Sequence, residues 1–330
     1  NLIYLTKYIE IIYSIFFAVG TILILRLWKL GINNNYYYKI WRKPFLVGIS
    51  GNSGVGKTTL SKNLELVFGK NSVTNVKGDG YHIWDRNRSI WDTLTHLNPR
   101  ANELEQLYED IGNLIFGKRI NLSNYNHQTG KKNQLKNILV KNFVLLEGLH
   151  ILIFKKLREK CDIKIFMEAS ENLRRNLKIE RDVNKRGYNK EDVLKKLNKR
   201  RIDELKYIEI QRNFSDLIIN IKDTKNYSKI KNSERLSVEI ISKDPTYFMK
   251  LTKVLTKITN IGIETSFGEE NKISFYGTIS EFNILKVAKE MMPNYYDLFV
   301  NDAKWSKGAK GIIQLICAIE IYQQIMKRMN

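Results

Sequence analysis

The chain has 330 residues, with 55 Lys and Arg against 34 Asp and Glu, and its formal charge of +21 calls for an anionic partner, surface or substrate. A content of 43% hydrophobic and 11% aromatic residues excludes a disordered or collagen-like chain and supplies a core for one large or two modest domains. Cys161 and Cys317 are too few for a disulfide framework and lack the spacing of a structural zinc site.

The chain opens on an apolar segment. No charge interrupts Ile11 to Leu25, and tolerating Glu10, Arg26 and Lys29 near its ends gives Tyr8 to Leu30 the length of a membrane span. Arg26, Lys29, Lys39, Arg42 and Lys43 follow it whereas only Lys7 precedes it, so the pattern predicts one anchor within residues 1–30, with membrane association through residues 8–30 and the rest on the cytoplasmic side. A buried helix and a cleaved signal peptide are the competing readings, and no small-x-small cleavage site follows. Residues 31–43 read as a linker.

From Phe45 the pattern alternates. Short β-rich runs at Phe45–Ser50, Val73–Val76, Phe143–Leu146, Ile163–Met167 and Leu217–Ile221 are separated mostly by helical stretches, which predicts an α/β fold with a parallel sheet flanked by helices over residues 44–223. Residues 224–330 carry a strand (Leu236–Ile241), a helix (Thr246–Ile258), a hairpin around Gly268–Asn271 and two more helices, the last burying Ile312, Leu315, Ile316 and Ile319 on one face. This α+β tail is either a small subdomain or an extension of the sheet.

Directly after the first run comes Gly51-Asn52-Ser53-Gly54-Val55-Gly56-Lys57-Thr58, followed by a helix-compatible Thr59 to Phe68. Strand, glycine-rich turn and helix together are the arrangement of a nucleotide phosphate loop. Backbone N–H groups face the phosphates, Lys57 reaches the β and γ positions, and the Thr58 hydroxyl ligates Mg²⁺. The second run ends in Gly78-Asp79-Gly80-Tyr81-His82, with Arg86 beyond. A carboxylate at the carboxyl edge of a parallel sheet sits where ligands bind, so Asp79 is a candidate base for an attacking hydroxyl, or else a helix cap. His82 and Arg86 could hold an anionic group if that turn is helical. Glu147, just after an apolar run, has the placement of a Mg²⁺-holding carboxylate opposite Thr58.

Between Lys155 and Arg212 lie 19 basic and 11 acidic residues in a helical segment. The cluster Lys178 to Arg186 packs cations around Asp182 just before Gly187, a helix stop or hinge, and suits a cationic lid over phosphates at about residues 171–212. Asn189 with Asp192 opens a further helix carrying Leu194, Leu197, Leu205 and Ile208. Nucleic-acid binding is the rival explanation of the charge, but no recognition motif accompanies it.

Together these residues resemble the phosphoribulokinase and uridine kinase family. Thr95-His96-Leu97-Asn98-Pro99-Arg100-Ala101-Asn102, Leu107-Tyr108-Glu109 and Tyr125-Asn126-His127-Gln128-Thr129-Gly130 are more similar to the phosphoribulokinase branch. The resemblance implies a P-loop kinase that moves the γ-phosphate of ATP, with Mg²⁺, to a sugar-phosphate hydroxyl. It implies nucleotide contacts at Gly51, Ser53, Gly54, Gly56, Lys57, Thr58 and Thr59, and catalytic roles for Asp79, Lys57, Asp182 and Arg181. It places metal at Thr58, Glu147 and Asp182, and the acceptor at His82, Arg86, Tyr125, His127, Lys178 and Arg186. Ribulose 5-phosphate is the acceptor it suggests first. A uridine or other nucleoside kinase is the alternative, and a membrane-tethered nucleotide-binding protein without activity is a third. Val55 stands where the light-regulated enzymes carry a cysteine, which implies that their thiol switch is absent. The tail is open to a homodimer contact.

Overall fold

A computed structural model describes residues 13, 16–22, 43–85, 88–133, 136–223 and 236–329. Its centre is an eight-stranded sheet in which β2 (Val73–Lys77), β7 (Phe143–Glu147), β1 (Phe45–Gly51), β8 (Ile163–Ala169) and β9 (Leu217–Asp223) run parallel in that spatial order. β10 (Leu236–Ser242), β12 (Lys272–Tyr276) and β11 (Gly262–Ser266) add to it antiparallel beyond β9. Two small ribbons, β3 (Ile120–Leu122) with β6 (Lys136–Ile138) and β4 (Tyr125–Asn126) with β5 (Lys131–Lys132), are separate from this sheet. The α/β fold expected from the alternation is the one observed, and the tail proves continuous with the main sheet.

Every residue of β1 is buried, as expected for a strand covered on both faces. Strand periodicity divides its side chains: Phe45, Val47 and Ile49 enter a core with α1 (Lys57–Phe68), while Leu46 turns to the opposite core with Leu107, Ile111 and Leu114 of α2 (Leu104–Ile115). Gly48 shares that second face, and a Cβ there would lie 2.7 Å from Cys161 Sγ, so the position has no room for a side chain.

The segment expected to form a lid is a pair of helices, α3 (Glu171–Arg186) and α4 (Lys190–Lys199). Gly187 ends α3 with φ of 72°, the left-handed conformation that glycine takes at no steric cost, and the Asn189 side chain caps α4 by accepting from Glu191 N at 2.8 Å. The helix expected to run on to Ile208 stops earlier. Leu205 belongs to a separate turn and is 50% exposed, because the register of the bulged segment Glu204–Ile208 turns it outward.

Three further helices, α5 (Phe248–Ile258), α6 (Glu281–Met291) and α7 (Gly308–Met329), cover the face that also holds α1. The last of these buries Ile313, Cys317, Ala318, Ile321 and Ile325 besides the expected face, since sheet, α1 and α6 surround it. Gln314 ties it to α1, donating to the carbonyls of Asn63 (2.6 Å) and Lys304 (3.1 Å) and accepting from Ser306 N (2.8 Å). Most of the expected anchor, residues 1–30, lies outside the described residues. Within it residues 16–22 are helical, and among the described residues no helix is long and apolar enough to cross a membrane.

Candidate active site

Six chain segments meet at the carboxyl ends of β1, β2 and β7 around a cleft of about 510 Å³. The glycine-rich loop forms its floor. Gly51 leaves β1 at φ 141°, and a Cβ on it would lie 2.1 Å from the Met167 carbonyl oxygen, so the neighbouring β8 admits only glycine there. Gly54 and Gly56 continue the curl at φ 94° and 100°, and Gly56 caps the N-terminus of α1. Lys57 Nζ donates to the carbonyls of Gly51 (2.7 Å) and Asn52 (2.9 Å) and is thereby folded back into its own loop. Burial lowers its ammonium to about 8, while the charges of Asp79 and Glu147 pull the other way.

Glu147 ends β7 and is 5% exposed. Burial raises its carboxyl above the usual range against the pull of Lys57, Lys77 and a hydrogen bond from Thr58, and its Oε2 has no partner. A buried carboxylate oxygen without a partner, beside a threonine hydroxyl, fits a hard divalent cation.

Asp79 sits in the turn Gly78–Tyr81 that follows β2. A Cβ on Gly80 would lie 2.0 Å from the Ser123 carbonyl oxygen, and this close crossing brings β4 and the residues after it against the turn. As a result His127 Nε2 lies 3.1 Å from Asp79 Oδ2, and His82 Nε2 lies 3.7 Å from Asp79 Oδ1. Burial alone would raise the Asp79 carboxyl. The hydrogen bond from His127, with His82, His127 and Lys57 close by, overcomes it and holds the group well below the usual carboxylate range. His82 is extended, at φ −61° and ψ 133°, so it is the turn before it and not a helix that aims its ring.

The helices α3 and α4 line the other side. Lys178 of α3 is 6% exposed, and a Cβ on Gly54 would lie 3.5 Å from its own Cβ, so the helix rests on the phosphate loop. Burial, with Arg200 nearby, lowers the Lys178 ammonium to about 7. Arg181 holds Asp182 Oδ1 through Nε (3.0 Å) and Nη2 (2.9 Å) and approaches Ser53 Oγ at 3.4 Å. The base of α3 is fixed by a bidentate, buried pair, Arg174 to Glu204, at 2.8 and 2.9 Å.

Of the residues singled out from sequence, Ser53, Gly54, Gly56, Lys57, Thr58 and Thr59 line this cleft together with Asp79, His82, Tyr125, His127, Glu147, Lys178, Arg181 and Asp182. Gly51 contributes its carbonyl to Lys57. Arg86 lies outside the described residues, as does the side chain of Arg186. Sequence reasoning missed Lys77, His96, Tyr188, Asp192, Lys196 and Arg200, which also line it. Asp192 and Lys196 of α4 and Arg200, the residue that caps its C-terminus, recur every four residues, a spacing that marks one helical face and was available as a signal.

The sequence profile of the family described as "Phosphoribulokinase / Uridine kinase family" matches residues 46–228, more than half of the chain. The phosphoribulokinase of Synechocystis sp. is 35% identical over 205 residues, covering 62% of this chain and 61% of that protein. The chloroplastic phosphoribulokinase of Spinacia oleracea is 26% identical over 72% of this chain and 66% of its own length, and the uridine kinase of Halalkalibacterium halodurans is 28% identical over 54% and 86%. The chain thus spans about 61% of the length of the first of these curated relatives. A solved structure titled phosphoribulokinase from Rhodobacter spheroides superposes with a TM-score of 0.59 over 86% of this chain and 99% of that one, at 18% identity, a likeness of fold.

Proposed function

Since the chain belongs to the phosphoribulokinase and uridine kinase family, we propose that it is an ATP-dependent kinase that phosphorylates a hydroxyl of a sugar phosphate, with ribulose 5-phosphate the first acceptor to try. The observation that carries the choice of acceptor is the cationic wall opposite Asp79. Lys178, Lys196 and Arg200 line the cleft in addition to Lys57 and Arg181, which the nucleotide phosphates suffice to explain. Burial and the Arg200 charge lower the Lys178 ammonium against the pull of Glu204 and Asp182, so a further anion at this wall would favour its charged form. A phosphate on the acceptor supplies that anion and an uncharged nucleoside does not.

In this reading the phosphate loop and Lys57 hold the transferring group, and Arg181 leaves Asp182 to follow its charge. Asp79 accepts the hydrogen of the attacking hydroxyl. Its depressed basicity suits a loose phosphoryl transition state, in which the hydroxyl keeps its proton until late and needs chiefly to be aimed. His127, donating to Oδ2, leaves Oδ1 to the substrate. Thr58 and Glu147, with Asp182 when Arg181 releases it, would hold Mg²⁺, which supplies charge neutralisation between the phosphates.

The uridine kinase relative favours a second reading, a nucleoside acceptor. ADP release measured with ribulose 5-phosphate, other pentose and heptulose phosphates, and uridine separates the two. Turnover of sugar phosphates is expected, and turnover of uridine alone would overturn the proposal.

A further inference from the structure

The chain has four histidines, and the partner of one ring nitrogen in each decides where its proton sits. His96 Nε2 lies 3.0 Å from the Trp84 carbonyl oxygen and His150 Nε2 lies 2.7 Å from that of His96. A carbonyl only accepts, so both rings carry hydrogen on Nε2. His127 does the same toward the Asp79 carboxylate.

His82 is the exception. Its Nδ1 lies 2.7 Å from Asn102 Oδ1, and the Asn102 amide nitrogen donates to the carbonyls of His96 (3.1 Å) and Asn98 (2.9 Å). Those two carbonyls establish which end of the amide is oxygen, so Nδ1 is the donor of the 2.7 Å bond. The two residues face each other across an isolated antiparallel bridge, both are buried, and the His82 ring stacks on His96 at 3.4 Å. Burial also lowers the His82 pKa, which keeps the ring neutral and Nε2 without hydrogen. The 3.7 Å between Nε2 and Asp79 Oδ1 is too long for a hydrogen bond, consistent with two acceptors facing one space.

We propose that Asn102 is a positioning residue that holds His82 as the Nδ1–H tautomer, so that Nε2 accepts a hydrogen bond from a second hydroxyl of the acceptor while Asp79 receives the hydrogen of the reacting one. The opposite tautomer would turn N–H toward Asp79 and compete with the substrate for it. The arrangement selects polyols, since a lone hydroxyl satisfies Asp79 and leaves Nε2 unmatched. The substrate half of this inference rests on the kinase reading, whereas the tautomer half does not.

The test is ¹⁵N NMR of the full chain labelled at histidine, at pH 7.5, with the Asn102→Ala and Asn102→Asp variants. One ring of the four is expected as Nδ1–H, and Asn102→Ala should convert that ring to Nε2–H or a mixture. With ribulose 5-phosphate, the same variant should lower acceptor kcat/KM by about tenfold or more through the lost hydrogen bond while KM for ATP stays put. Asn102→Asp keeps an acceptor on Nδ1 but adds a charge that favours the imidazolium, so it should move the acidic limb of the kcat/KM profile to higher pH. A wild-type protein with every ring Nε2–H, or an Asn102→Ala protein with the tautomer and the acceptor kinetics unchanged, would overturn the proposal. The expected tautomers without turnover of any acceptor would instead remove the kinase reading and with it the substrate half.

Discussion

At Asp79 the proposed chemistry comes down to one carboxylate with two histidines and a lysine around it. Asp79→Asn keeps the shape and removes the base, so turnover should fall by about 10²- to 10⁴-fold while ATP affinity, measured by calorimetry, changes little. Retained turnover would assign the proton to another group. His150 makes a stability prediction. Burial lowers its pKa from the ordinary 6.5 to about 4, so between those values the unfolded chain binds a proton that the folded chain refuses. Stability from this ring is therefore complete above about pH 6.5 and is lost as pH falls toward 4, by about 2 kcal/mol at pH 5. His150→Gln, compared with wild type by urea unfolding at pH 8 and pH 5, should lose about 2 kcal/mol less over that interval. Much of this scale was readable from sequence where a residue type and a motif coincide, as at Lys57 and Asp79. His96 was not, because nothing in its neighbours announces that its ring stacks on His82 and that its carbonyl serves both His150 and Asn102.

The helix pair α3 and α4 is the element on which the proposed choice of acceptor depends. Its cationic cluster was legible in the sequence, since Lys178, Arg181, Asp182 and Gly187 follow one another closely. The contribution of α4 was hidden among charges that are mostly solvated, and helical spacing alone does not say which face meets a cleft. Nor did the sequence reveal the pin at the base of α3, because Arg174 and Glu204 are far apart in the chain and pair through tertiary structure. Glu204 is 1% exposed and without Arg174 would keep only Arg201, at 3.5 Å, so Arg174→Ala leaves a buried carboxylate poorly paired and should cost about 3 kcal/mol of stability by chemical denaturation. The double change Arg174→Met with Glu204→Leu should recover most of that loss, because it leaves no charge unpaired. Equal destabilisation by both would mean that the pair contributes something besides mutual neutralisation.

Over the whole molecule, the parallel half of the sheet followed from the alternation of apolar runs, while the role of the tail did not. An antiparallel addition beyond β9 leaves no mark in hydrophobic pattern that separates it from a second subdomain. The structure joins the two through the β9–β10 register and through Gln314, which binds the helix that starts at the phosphate loop. The charge of +21 likewise gave only the sign of a partner. Folding concentrates Lys57, Lys178, Arg181, Lys196 and Arg200 around one cleft with Asp79, Glu147, Asp182 and Asp192, and the proposed function assigns part of that cation to a phosphate on the acceptor. The most direct test of that claim is the ratio of kcat/KM for ribulose 5-phosphate and for unphosphorylated ribulose with the purified protein. A sugar phosphate favoured by about 10²-fold or more is the expected result, for an acceptor phosphate that meets the buried Lys178 and the half-buried Arg200. Equal use of the two sugars, or a preference for the uncharged one, would contradict it.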